Sequence, residues 1–321
     1  MGVEQDVLVT FVVPVYNVED YVAICLEDIC KQTYRKLEIW VIDDGSTDRS
    51  GEICDAFAAR DDRIQVIHQK NQGLSAARNA GIDRANGEYI YLLDSDDRIH
   101  PEAIERMLYI ARHNDCQVVQ ASVFSFIEDA KINFCLEEEK LSFFSNREMC
   151  KKLLDGTIEN TGVVQNKLYQ AKLFHDGLRF PVGRQHEDDA LVYRLFWDSS
   201  RVALTSQVLF FYRSKRPGSI MHIPYNLKRL DALIARKERY IYFREIGEKE
   251  LYGLALASWC DAAIFSIENL RKSDITGEKA YRTQIKKDLM KIMGQLFLAG
   301  GLSVKRKCKT VLYSLFVVCM R

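Results

Sequence analysis

The sequence predicts an α/β protein: a mostly parallel sheet with helices on both faces, followed by a C-terminal helical extension. Three observations lead there. The first hundred residues alternate short β-branched runs with amphipathic helical patterns. A polar or acidic loop follows each of the first four apolar runs. From Tyr225 onward the pattern is helical throughout, broken at Gly247 and at "SDITGE".

In chain order, "VLVTFVVPV" (Val7 to Val15) reads as a buried strand, and "EDYVAICLEDICK" (Glu19 to Lys31) as a helix with Val22, Leu26 and Ile29 on one face. "LEIWVIDD" is a second strand, "SGEICDAFAAR" a second helix, "RIQVIHQ" a third strand and "LSAARNAGIDRA" a third helix. "GEYIYLLD" is the fourth strand. This rhythm implies right-handed crossovers and a parallel sheet. Beyond Pro101 a helix to about His113 is expected. A strand in "CQVVQASVFSFIE" should follow, with a hairpin through the polar turn near Asp129. "SNREMCKKLL" has the spacing of a capping box, Ser145 to Glu148. "FPVGRQHEDDALVYRLFW" ends in a helix, and two short strands near Val202 and Leu209 lead to "YRSKRPGSI".

The 321 residues are 47% apolar, with 45 Lys and Arg against 45 Asp and Glu. That balance gives no global attraction to nucleic acid, so a charged site must be built locally. Nine cysteines without a C-x-x-C pair argue against a disulfide framework and a zinc knuckle. No uncharged run approaches the roughly 20 residues of a membrane-spanning helix, and no export signal is evident at the N-terminus. A cytoplasmic protein is expected.

In such sheets ligands sit beyond the carboxyl ends of the strands. The loops there read "PVYN", "DDGSTD", "QKNQGLS" and "DSDD". Asp94, Asp96 and Asp97 are three carboxylates in four positions; two charges about 6 Å apart cost each other about 3 kcal/mol at an effective dielectric near 20. They can form an Asp-rich turn that caps the next helix. At a strand end, though, the cluster suits a Mg²⁺ or Mn²⁺ ion, which needs only one or two carboxylates when phosphate oxygens supply other ligands. Asp43 and Asp44 can accept from an imide N–H such as that of uracil, and Tyr16 offers an aromatic face at the same edge. Thr47 and Asp48 are assigned to the turn and the following helix start.

"VVPVYNVEDYV", "QTYRKLEIWVIDDGSTDRS", "NQGLSAARNAGI" and "GEYIYLLDSDD" together resemble the catalytic domain of the family 2 glycosyltransferases, inverting enzymes of Rossmann-like GT-A fold that use nucleotide sugars. The later "NKLY", "HEDD" and "YRSKRPGSI" resemble bacterial members that build capsular, exopolysaccharide or other cell-surface glycans. The resemblance implies a hexosyltransferase-type enzyme. Pro14, Tyr16 and Asp44 would contact the base, Arg78 would belong to the nucleotide site, and Asp94 and Asp96 would form the D-x-D pair. Asp96 would be the metal ligand, with Asp94 also counted at the metal and facing the ribose or sugar end of the donor. Asp188 would be the general base and Glu187 would orient the acceptor, with Asp189 leaving the register open by one. Arg213 and Arg216, read as part of a loop, would close over the diphosphate. The implied cofactor is Mn or Mg. The implied partners are a nucleotide-sugar donor, most readily a UDP-sugar, and a saccharide or lipid-linked saccharide acceptor.

Competing motifs fail on their residues. "GLSAA" has Ala77 where a nucleophile elbow needs glycine, no H-E-x-x-H is present, and "PVYNVED" replaces the glycine-rich turn of a nicotinamide enzyme. The competing class is a non-catalytic nucleotide-sugar or glycan-binding protein that keeps the fold. The expected organisation is a catalytic domain over 1–222, with a nucleotide-sugar half to about 115 and an acceptor half from 116, then a helical region over 223–321. In its "VKRKCKTVLYSLFVVCMR" (Val304 to Arg321) the basic residues either hold the protein to the inner face of the plasma membrane or rim a packed final helix.

Overall fold

A computed structural model describes residues 7–127, 132–215 and 224–319, apart from the side chains of residues 175 and 176. The chain forms two compact units. One comprises Met1–Met149, Ile158–Gly183 and Arg194–Pro217, the other Cys150–Thr157, Arg184–Tyr193 and Gly218–Arg321.

The first unit opens with β1 (Val9–Val15), α1 (Val22–Cys30), β2 (Leu37–Asp43), α2 (Ser50–Ala58), β3 (Ile64–His68), α3 (Leu74–Ile82) and β4 (Tyr89–Leu92). These follow the order read from the periodicity. In chain order there follow β5 (Arg98–Ile99), α4 (Ala103–His113), β6 (Val118–Phe126), β7 (Leu141–Ser145), α5 (Asn146–Asp155), β8 (Lys167–Gln170), α6 (Glu187–Trp197) and β9 (Arg201–Arg213), of which α5 from Cys150 and α6 to Tyr193 belong to the second unit. The strands form one sheet in the order β3-β2-β1-β4-β8-β6-β9-β5, with β7 also paired to β9. β3, β2, β1 and β4 are parallel, β8 is antiparallel to both β4 and β6, and β9 is parallel to β6. Along β3-β2-β1-β4-β8-β6-β9 the strand β8 runs against its neighbours, and β5 and β7 are each antiparallel to β9.

Period-two alternation puts β1 against helices on both faces. Val9, Phe11, Val13 and Val15 share a buried cluster with Val22, Leu26 and Ile29 of α1 and Ile104, Met107 and Leu108 of α4. On the other face Val12 meets α3 so closely that a Cβ on Gly81 would lie 2.4 Å from Val12 Cγ1. Glycine is required there by the approach of helix to strand, and that approach seats α3 beneath the ligand edge.

Two local expectations are corrected. Among the described residues the strand that follows β6, β7, does not fold back on it as a hairpin but pairs with β9. Asp129 itself lies outside the described residues. The two strands read near Val202 and Leu209 are a single strand, β9, with a register irregularity opposite Ser122. The polar run Thr205-Ser206-Gln207 looks like a turn, yet its groups are bonded within the sheet region: Thr205 Oγ1 donates to Glu139 Oε1 at 2.8 Å, and Gln207 Oε1 accepts from the Glu137 amide at 3.1 Å. The capping box forms as spaced, with the Ser145 amide donating to Glu148 Oε2 at 2.9 Å and the Glu148 amide to Ser145 Oγ at 3.3 Å.

In the second unit, α7 (Asp231–Glu245), α8 (Lys249–Lys272), α9 (Glu278–Leu298) and α10 (Val304–Cys319) follow one another. α8 is long and apolar enough to cross a membrane, but 72% of its apolar window is buried inside the protein. It is the core helix, ringed by the other three. All nine cysteines are free thiols.

Candidate active site

β1 lies between β2 and β4, so the connections leave it in opposite directions and a crevice opens at the carboxyl ends of these strands. Pro14 is buried in β1, and Tyr16, just past its end, keeps 47% of its surface exposed. Asp44 directly follows β2, and Asp94 begins the acidic turn two residues beyond β4. The topology therefore gathers Tyr16, Asp44, Asp94 and Asp96 at one edge.

Asp44 braces that edge. Its Oδ1 accepts from Gln69 Nε2 at 2.7 Å and the Gln72 amide at 3.0 Å, and its Oδ2 from the Gly73 amide at 2.7 Å. The loop into α3 is thereby tied to the end of β2. Asp43 bonds the Ser46 amide at 2.9 Å and His68 Nδ1 at 2.8 Å. Burial works to raise its carboxyl, but the bonds from Ser46 and His68 outweigh this and hold it below the usual range. His68 is raised in turn by its bonds to Asp43 and Asp55. The loop after β1 is laced to the "DDGSTD" loop: Asn17 Oδ1 accepts from the Thr47 amide at 2.8 Å, and Asp48 Oδ2 from the Glu19 amide at 3.1 Å. Thr47 and Asp48 thus do the structural work assigned to them.

The acidic turn is held from three sides. Arg78, with no exposed side-chain surface, donates from Nη2 to Asp94 Oδ1 at 2.8 Å, and Gln165 Nε2 donates to Asp94 Oδ2 at 2.7 Å. The Arg78 guanidinium also lies 5.2 Å from the Phe180 ring centroid. Asp97 is buried, and its Oδ1 accepts from the Arg213 amide at 2.8 Å. Burial pushes the Asp97 carboxyl well up, with the Asp96 and Asp94 charges adding to it and the Arg213 bond opposing.

Arg213 differs from its expected setting. It is the last residue of β9 rather than part of a loop, and it is buried with its guanidinium 4.7 Å from the Tyr21 ring and 4.6 Å from the Phe126 ring. Its Nε donates to the Asp96 carbonyl at 2.8 Å, so it pins the acidic turn. The strand pairing that carries it there involves residues about a hundred positions apart, which no local pattern reveals. Arg216 lies outside the described residues.

This donor set fits a divalent cation. Both oxygens of Asp94 accept from Arg78 and Gln165, Asp97 is buried, and Asp96 is half-buried in the same turn, so the turn presents carboxylates in more than one setting. One protein carboxylate with water and phosphate oxygens is a common Mg²⁺ or Mn²⁺ environment. Among the described residues no group of three or more His, Cys, Asp and Glu is arranged to enclose a metal by itself.

In the second unit, His186 turns the chain with φ 58° into α6, whose first turn is Glu187, Asp188 and Asp189. Acidic residues are favoured there by the helix dipole. Asp189 is engaged by two arginines, Arg236 Nε at 3.2 Å and Arg239 Nη1 at 3.3 Å. Burial opposes its charge, but Arg239 and Arg236 hold its carboxyl below the usual range. Asp189 is thereby committed to an ion cluster within its own unit.

Two residues around the acidic turn are not among the site residues expected from the sequence. Gln165 reaches Asp94 from 71 positions away. Lys167, fully buried, donates Nζ to the Asn160 carbonyl at 3.0 Å and Asn166 Oδ1 at 2.7 Å, and also to the Val163 carbonyl. A buried ammonium satisfied by the segment around it fixes that segment, and Gln165 with it. The "NKLY" motif contains this lysine, and its burial explains the residue type.

The family model "Glycosyl transferase family 2" matches residues 10–169. The glycosyltransferase GlyG of Streptococcus pneumoniae serotype 4 is 35% identical over 258 residues, which cover 77% of this chain and 82% of GlyG. Among solved structures, S. aureus TarS 1-349 in complex with UDP-GlcNAc aligns with a TM-score of 0.72 at 16% identity, over 97% of this chain and 90% of that one. The mannosyltransferase PcManGT from Pyrobaculum calidifontis, in complex with GDP-Man and Mn2+, aligns with a TM-score of 0.50 at 13% identity, over 90% and 86%.

Proposed function

This chain belongs to glycosyl transferase family 2 and is a glycosyltransferase of GT-A fold; on that premise we propose that it is an inverting enzyme that transfers a sugar from a nucleotide donor, most readily a UDP-sugar, to a saccharide or lipid-linked saccharide acceptor in the synthesis of cell-surface glycan. The observation that carries the reading is the convergence of Tyr16, Asp44 and the clamped Asp94-Asp96 turn at the carboxyl edge of β1, β2 and β4. The nucleotide sugars bound by TarS and PcManGT, on the same architecture, support the donor class.

Tyr16 supplies a face for the base, and the Asp44-braced loop supplies the backbone around it. Asp96 would hold a divalent cation, and Asp94, fixed by Arg78 and Gln165, would face the ribose or sugar end of the donor. The cation, when bound, neutralises charge on the leaving diphosphate. Asp188 takes the proton of the acceptor hydroxyl as its oxygen forms the new bond at the anomeric carbon. The bond from that carbon to the nucleotide's phosphate oxygen breaks on the opposite face, so configuration inverts. The engagement of Asp189 by Arg236 and Arg239 supports assigning this role to Asp188 rather than Asp189. Arg213 acts on the site by holding the acidic turn.

A thermal-shift screen of UDP- and GDP-sugars with and without Mn²⁺ tests the reading, since a ligand that binds only the folded state raises Tm. A metal-dependent rise with one nucleotide class, lost in Asp96→Asn, is expected. No rise with any nucleotide sugar, with or without metal, would overturn it.

A further inference from the structure

α10 has two apolar faces, and only one is covered. Thr310, Val311, Ser314 and Val317 recur at helical spacing and are buried, in a helix packed on α8 and α9. Val304, Cys308, Leu312, Leu315, Phe316 and Cys319 recur at the same spacing on another side, within an arc of about 120° at 100° per residue. These six are exposed, Val304 by 76%, Leu312 by 67% and Phe316 by 61%. The end of α9 adds Phe297 and Leu298, exposed by 53% and 90%, and Lys307 Nζ ties the two helices by donating to the Phe297 carbonyl at 2.9 Å.

A lone exposed leucine needs no explanation, but a continuous apolar strip along four turns does. Its charge surroundings indicate what covers it. In a chain with 45 residues of each sign, the last 33 residues hold six Lys or Arg and no Asp or Glu. Lys305, between Leu312 and Phe316 near one edge of the arc, and Lys309, just beyond that edge, are both exposed. A second copy docked by this face would bring against it another surface that carries the same basic residues and no Asp or Glu from this segment. An anionic lipid surface instead accepts the apolar strip among its acyl chains and the lysines at its headgroups.

We propose that the outward face of α10, with Phe297 and Leu298, docks this protein on a bilayer surface that contains anionic lipid. The docking is peripheral: the opposite face of the helix stays packed on α8 and α9. It stands apart from the reaction above, because none of its residues belongs to the donor or acceptor machinery.

Flotation of the full chain with phosphatidylcholine vesicles, with and without phosphatidylglycerol, at low and high salt, tests it. Anionic lipid should raise the bound fraction about tenfold, and salt should reverse part of the gain. Leu312→Ser with Phe316→Ser should lower binding about tenfold while the nucleotide-induced thermal shift persists. Lys305→Glu with Lys309→Glu, which leaves the apolar strip intact, should weaken binding to anionic vesicles selectively. Failure of the native chain to float with anionic vesicles, or equal flotation of the serine variant, overturns the proposal. So does a dimer in size-exclusion chromatography that the serine variant dissolves, which would assign the strip to a second copy.

Discussion

Arg78 holds Asp94 from a position with no exposed surface, its Nη2 donating to Oδ1 at 2.8 Å, so the first carboxylate of the acidic turn is oriented before any ligand arrives. The pair is asymmetric: Asp94 keeps 23% of its side chain exposed and Arg78 none. Removing Asp94 takes a carboxylate partner from a fully buried cation, whereas removing Arg78 leaves a carboxylate that can turn to water. Asp94→Ala should therefore cost about 3 kcal/mol of stability and Arg78→Met less, as read from urea midpoints. Gln165→Ala removes only the bond to Oδ2; it should weaken nucleotide-sugar affinity about tenfold by calorimetry, with little change in the midpoint.

The two aspartates of the α6 first turn should separate cleanly. Asp188→Asn is expected to lower kcat at least about a hundredfold, as loss of a general base would. Asp189→Asn should instead lower Tm, because Arg239, only 4% exposed, and Arg236 then lose the carboxylate they share. Equal losses of kcat without any Tm change in both variants would refute the division of roles.

His68 provides a pH test. Its bonds to Asp43 and Asp55 raise its imidazole above the unfolded value near 6.5, so its contribution is fully present below that value and is lost as pH rises through the folded pKa. The Tm gap between the native chain and His68→Gln should be larger at about pH 5.5 than at about pH 8.5. The ring is half exposed, so the effect should be modest and should shrink in salt. A gap that widens with pH would contradict the assignment.

Gly81 tests the seating of α3. A Cβ there would lie 2.4 Å from Val12 Cγ1, and Val12 is fully buried, so Gly81→Ala should destabilise by about 1–3 kcal/mol through overpacking. Adding Val12→Ala makes room and should recover part of the loss in a double-mutant comparison of urea midpoints.

Local pattern alone determined the order and nature of β1 to β4 and α1 to α4, the capping box at Ser145 and Glu148, and the placement of Asp94 and Asp96 at a strand end on the ligand edge. These are legible because helical and strand periodicities and turn chemistry are carried by neighbouring residues. Tertiary structure alone decided the rest: that β8 separates β4 from β6, that β9 is one strand carrying Arg213 into the core, and that Gln165 secures Asp94. It also decided that Arg236 and Arg239 neutralise Asp189, and which apolar face of α10 is left uncovered. Each depends on groups dozens of positions apart, whose meeting is set by packing of the whole chain rather than by any spacing along it.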